Sequence, residues 1–123
     1  MSEVNGKSLY ERLGGHEGIS GIVEDIWKNH TTNPEVKIRY QDSDGEEVKQ
    51  KVLELFCMGT GGPETYTGQD MLTAHRGMNI NEQEFVAVID DVLDAMNKNG
   101  CGQQEKDEVL AILYSMKPEV VHV

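Results

Sequence analysis

Three stretches of this sequence carry apolar residues at helical spacing and end at clear stop signals, which confines the chain to a helical fold. Ile19, Ile22, Val23, Ile26 and Trp27 form an i, i+3, i+4, i+7, i+8 stripe that begins near His16 and breaks at Thr31-Thr32-Asn33-Pro34. Val48, Val52, Leu55 and Phe56 form a second, opened by Asp44 with Glu47 three residues on and closed by Gly59-Thr60-Gly61-Gly62-Pro63. Phe85, Val88, Ile89, Val92 and Met96 form a third, between an Asn81/Glu84 start and an Asn99-Gly100 stop. Ser8-Leu9-Tyr10-Glu11 reads as a capping box for a short first helix that halts at Gly14-Gly15. A last helix runs from about Gln103 to Met116 with Val109, Leu110, Leu113 and Met116 inward. No segment alternates with period two between turn signals, so no sheet is expected. The expectation is an all-α domain over residues 8–118, with an N-terminal tail (1–7) and a C-terminal tail (119–123).

One short helix stands apart. After the glycine-rich corner from Thr60 to Gly68, the run Met71-Leu72-Thr73-Ala74-His75-Arg76-Gly77-Met78 wound as a helix aligns Met71, Leu72, His75 and Met78 on one face. Two readings fit: a core histidine bonded to a nearby carbonyl, or one nitrogen offered to an iron porphyrin from a hydrophobic wall. The corner lacks the lysine and preceding strand of a phosphate-binding loop, so it reads as a connection that lets a short helix lie flat against a ligand.

Composition narrows the choices. A chain of 123 residues supports one core and one large flat ligand. Its 11 Lys plus Arg against 22 Asp plus Glu give a net charge of -11, which repels nucleic acid and anionic membranes. There is no apolar run of membrane length and no apolar signal core at the N-terminus, so a soluble, cytoplasmic monomer is expected. Cys57 and Cys101 are too few and too far apart for a disulfide framework or a zinc site, and neither belongs to a Cys-x-x-Cys-His haem tether. Cys57 reads as a small buried hydrophobe. His30 and His122 lie in polar surroundings and read as solvated, and His16 as a cap on the second helix.

Together these residues resemble the truncated haemoglobins of the first group, the short globins built as a two-on-two helical sandwich. Leu9-Tyr10-Glu11-Arg12-Leu13-Gly14-Gly15, Gly61-Gly62-Pro63 with Tyr66-Thr67-Gly68, and Met71-x-x-Ala74-His75 with Asn79-Ile80 and Phe85 carry the resemblance in order. It implies non-covalent haem b, with His75 as the proximal metal ligand, and diatomic gases as partners. The Met71 carbonyl, one turn back, is the candidate acceptor for the other imidazole nitrogen. Expected haem contacts are Tyr40, Lys51, Leu55, Phe56, Leu72, Arg76, Ile80, Phe85, Val88 and Leu113; for all but Lys51 and Arg76, plain core packing is the competing reading.

The distal side departs from the family. The Phe-Tyr pair common in this group falls on Ile26-Trp27, two positions often held by glutamine fall on Val48 and Val52, and one sometimes held by histidine falls on Lys51. The distal pocket is thus expected from Trp27, Val48, Lys51 and Val52, with the usual hydrogen-bonding cage largely missing. A charge-assisted hydrogen bond to bound oxygen is worth roughly 1.5–3 kcal/mol, so its loss speeds oxygen release by about one to two orders of magnitude. Lys51 pairs with a haem propionate on one reading and reaches the iron or its ligand on another; Lys49, Arg39 and Arg76 compete for the propionate. Three functions remain: gas binding, including oxygen transport or nitric oxide dioxygenation with an external reductase; gas or redox sensing through a partner; and a cofactor-free helical interaction domain.

Overall fold

The computed structural model describes Glu3, Val4 and residues 6–123, with side chains from Gly6 onward. The expected N-terminal tail therefore falls partly outside the described residues. Glu3–Val4 (β1) and Lys7–Ser8 (β2) pair antiparallel, a two-residue ribbon that corrects the expectation of no strand. Strands this short carry no hydrophobic alternation, which is why the sequence pattern does not announce them.

The helices follow the caps. Ser8 caps Leu9–Arg12 (α1) through a complete capping box with Glu11. Gly15–Thr32 (α2) starts at Gly14, whose φ of 95° suits glycine, and the corner is tight: a Cβ on Gly18 would sit 2.1 Å from the Leu13 carbonyl oxygen. Asp44 caps Gly45–Gly59 (α3) by accepting from the amides of Glu46 and Glu47. Met71–His75 (α4) is capped by Asp70, Glu82–Lys98 (α5) by a second capping box of Asn81 and Glu84, and Gln103–Ser115 (α6) begins after Gly102. Two short 3-10 turns, Lys37–Tyr40 and Lys117–Glu119, complete the order.

α2 lies against both α3 and α5, and α5 against α6, giving the expected two-on-two helical arrangement. The main core gathers Leu9, Ile19, Ile22, Val23, Ile26, Val92, Ala95, Met96 and Val109. A second core joins Phe85 and Ile89 to Val120 and Val121, with Met71 and Ile80 packed against it. Residues 119–123, taken from the sequence as a tail, thus contribute two buried valines. The chain there bridges to the segment after α4: the His122 amide donates to the Ile80 carbonyl at 2.8 Å, and the amides of Gly77 and Asn79 donate to the Val123 carbonyl. Among the described residues no helix is long and apolar enough to cross a membrane.

Candidate functional site

The apolar face of α3 is not truly buried. Val48, Val52, Leu55 and Phe56 are each only half-covered, and Cys57 is the one fully buried residue of that helix. The reason is a cavity of about 450 Å³ enclosed by α2, α3, α4, α5 and α6. Most of its wall is hydrocarbon: Ile26, Trp27, Val48, Val52, Leu55, Phe56, Ile80, Phe85, Val88, Ile112, Leu113 and Met116. Apolar side chains left uncovered by other side chains fit a flat, apolar occupant rather than a closed core.

His75, half-buried at the last turn of α4, faces this space. Its Nδ1 lies 2.8 Å from the Met71 carbonyl oxygen, the acceptor anticipated from the one-turn spacing. The carbonyl has no proton to give, so Nδ1 carries the hydrogen, which leaves Nε2 as the ligating nitrogen of the neutral ring. α4 has only five residues and ends at once, with Arg76 turning to ψ 130° and Gly77 to φ 87°. Met78 therefore reaches the cavity from the loop, not from the helical face the sequence suggested.

Of the expected haem contacts, Tyr40, Lys51, Leu55, Phe56, Ile80, Phe85, Val88 and Leu113 line the cavity, as do the distal candidates Trp27, Val48, Lys51 and Val52. Leu72 and Arg76 do not: α4 ends at His75, before Arg76, and Leu72 is absent from the lining although it lies within the helix. At the rim, Arg39 is committed to Glu84 through two contacts of 2.7 and 2.8 Å, and Lys49 pairs with Glu24 and Glu46. The Lys51 amine donates to the Thr67 hydroxyl at 2.6 Å and, among the described residues, makes no ion pair.

His30 is the residue the sequence reading misplaced. It is 7% exposed, lines the cavity, stacks on Tyr40 with ring centres 5.2 Å apart, and bonds Asp91 at 2.7 Å through Nδ1. Its spacing continues the stripe of Ile19, Ile22, Val23 and Ile26, a signal outweighed by the polar neighbours Asn29 and Thr31. Burial holds the His30 imidazole below its ordinary 6.5, with Asp91 opposing. Burial likewise raises the Tyr40 hydroxyl above 10.0, leaving it a donor at neutral pH. Trp27 meets Tyr40 edge-on at 5.7 Å and presses so close to α3 that a Cβ on Gly45 would lie 2.9 Å from the indole. His122 is exposed as expected, whereas His16 pairs with Glu64 at 2.9 Å in place of the expected cap.

A family model for bacterial-like globins matches residues 8–122. The chain belongs to the bacterial-like globin family. The match runs through the C-terminal residues that brace α4. A group 1 truncated haemoglobin from Mycolicibacterium paratuberculosis is 28% identical over 92% of this chain and 83% of its own length. A group 1 truncated haemoglobin from Tetrahymena pyriformis is 24% identical over 94% of this chain and 95% of its own length. Its Fe(III) crystal structure superposes with a TM-score of 0.92, covering 95% of this chain and all of that one at 23% identity. The 2/2 haemoglobin of Synechococcus sp., solved in the cyanomet state with covalently attached haem, superposes with a TM-score of 0.83, over 89% of this chain and 93% of that one, at 24% identity. These relatives agree with the resemblance drawn from the sequence, and membership of the globins makes this a haem-binding chain. The residues present fit haem on their own terms: an apolar slot, one imidazole with a fixed free nitrogen, and an unpaired ammonium at the rim for a carboxylate.

Proposed function

We propose that this globin holds haem b without a covalent link and binds diatomic gases, with His75 as the axial ligand. The observation that carries the reading is the His75 imidazole, locked by the Met71 carbonyl at 2.8 Å and facing an apolar cavity. When bound, haem would supply an iron able to take an imidazole nitrogen and a diatomic gas, and His75 would hold it. The chain's part is to orient the ring, keep Nε2 unprotonated and exclude water with aliphatic walls. Non-covalent binding is favoured because no cysteine lines the cavity and the second histidine there, His30, is engaged with Asp91.

The distal side has few donors to offer. Val48 and Val52 have none, and Lys51 directs one of its three N–H donors to Thr67 at the rim, so the Trp27 indole and the Tyr40 hydroxyl are the donors nearest the apolar wall. Oxygen is therefore expected to leave quickly, and carbon monoxide and nitric oxide, which need a donor less, to be held better. Expressed protein is expected to be red, and its haem to extract into acidified organic solvent. His75→Ala is expected to lose most of its haem while keeping its helical circular dichroism. Full haem content and an unchanged ferrous spectrum in that variant would refute the assignment. Stopped-flow oxygen release separates a sparse distal side from one in which Trp27 or Tyr40 replaces the missing donor.

A further inference from the structure

Away from the haem cavity, three segments bring metal-binding side chains to one point. His16 stands in the first turn of α2, Cys57 near the end of α3, and Glu64 in the loop after Pro63; one donor atom from each lies within 4.8 Å of the other two. Tyr10 of α1 backs the group, donating to Glu64 Oε2 at 3.0 Å, while His16 Nδ1 approaches the same oxygen at 2.9 Å. The other carboxylate oxygen, Oε1, is shielded from solvent and has no hydrogen-bond partner. A shielded carboxylate oxygen without a partner is costly, and a cation beside it removes the cost.

The surroundings are built tightly. The Tyr10 amide donates to the Thr60 carbonyl and the Gly62 amide to the Cys57 carbonyl, each at 2.8 Å, so α1 and the loop are pinned to the end of α3. A Cβ on Gly62 would fall 2.5 Å from the Tyr10 ring and 2.7 Å from Glu64 Oε1, so only glycine lets the ring and carboxylate meet there. We propose that His16, Cys57 and Glu64 form a second metal site, for a borderline-soft divalent cation of the zinc class, with water as the fourth ligand.

The donor set selects that class, since one thiolate, one imidazole and one carboxylate suit zinc and not the oxygen-seeking magnesium or calcium. Donors bound about 2.0–2.3 Å from a tetrahedral zinc ion lie about 3.3–3.8 Å apart, so separations of up to 4.8 Å must shorten by at most about 1–1.5 Å while the 2.9 Å contact between His16 and Glu64 opens slightly. The exposed His16 ring can move that far. A zinc ion with one thiolate and one carboxylate is neutral overall, which limits the cost of its position over buried Cys57. On binding, the Cys57 thiol gives its proton to the buffer as the sulfur–metal bond forms, and nothing is oxidised or reduced. Without the ion the thiol stays protonated, its pKa pushed up to about 11 by burial and by Glu64. The occupied site would clamp α1, α2 and α3 to the loop that leads to α4.

The test is zinc titration of the chelator-treated, haem-loaded protein, read by calorimetry and by X-ray absorption at the zinc edge. We expect one zinc per chain, one sulfur neighbour at about 2.3 Å, and about one proton released per zinc. His16→Ala, at an exposed position, is expected to weaken binding at least about tenfold. Cys57→Ser is expected to remove the sulfur neighbour, and Cys101→Ser to behave like the parent. Because Cys57 is fully buried, His16→Ala carries the test if the serine variant does not fold. No zinc at one equivalent, a zinc shell without sulfur in the parent, or parental affinity in His16→Ala would each overturn the site.

Discussion

At the scale of single residues, His30 and Lys51 show how burial and pairing decide roles that residue type leaves open. His30 is neutral inside the fold, donating through Nδ1 to Asp91, which also accepts from Asn33. A base held below its ordinary 6.5 in the folded state takes up more protons when unfolded, so folding is fully supported above that pH and weakens as pH falls through the depressed value. Urea unfolding at stepped pH is expected to show this loss in the parent and a flatter profile in His30→Gln. Asp91→Ala strands two donors beside the cavity, His30 Nδ1 and the Asn33 amide, and is expected to cost about 2–3 kcal/mol at neutral pH. Lys51 is half-exposed, so a salt bridge from it to a haem propionate would be worth about 1 kcal/mol at most. Lys51→Ala is accordingly expected to speed haem transfer to an excess of a competing apoglobin up to about fivefold, with Lys49→Ala, already paired to Glu24 and Glu46, close to parental. An alkaline spectral change in the ferric protein that vanishes in Lys51→Ala would instead favour ligation of iron by the amine.

At the scale of elements, the five residues of α4 cannot hold themselves together, because a helix that short has too few internal bonds to offset nucleation. Its support comes from both sides. Behind it, Val120 and Val121 join Phe85 and Ile89 under Met71 and Ile80. Val121→Ala is expected to cost about 1–2 kcal/mol in urea unfolding and to raise the rate of haem loss, whereas a surface change such as Glu119→Ala leaves both near parental. Ahead of it, Glu54 accepts from the Thr67 hydroxyl at 2.7 Å and the Thr67 amide at 3.0 Å, tying the loop to α3. Gln50 first, then these two donors, bring the Glu54 carboxyl from an ordinary 4.5 down to about 2. A carboxyl depressed in the folded state supports folding fully above about 4.5, and that support fades as pH falls toward 2. Thr67→Ala removes one donor, so its acid-induced haem release is expected at higher pH than in the parent.

At the scale of the whole molecule, the cavity makes stability depend on its occupant. The half-covered faces of α3, α5 and α6 lose contacts on one side when no ligand fills the space. A ligand present at about 1,000 times its dissociation constant adds about 4 kcal/mol to the folded state. Calorimetric scans are therefore expected to show the haem-free protein melting about 10–20 °C below the haem-loaded one. Equal melting temperatures would mean that the haem-free chain closes the cavity by repacking.

The helices, most of their caps and the choice of His75 as the candidate axial ligand are legible in the sequence alone. These are local matters: Ser8 with Glu11 and Asn81 with Glu84 act within one turn, and the Met71 carbonyl reaches His75 because an α-helix puts it there. Only the tertiary structure decided what each polar or half-apolar residue does. His30 is buried because Asp91, 61 residues away, meets it. The α3 stripe, legible as a core face, is instead the wall of a slot, since hydrophobic period reports which side faces inward and not whether protein or ligand lies there. Arg76 misses the cavity because α4 stops one residue before it, and the valines at 120 and 121 become core through a bridge to Ile80 that no local pattern encodes. His16 lies some forty residues before Cys57 and Glu64 along the chain, and meets them only because α2 converges on the end of α3 and the loop that follows it.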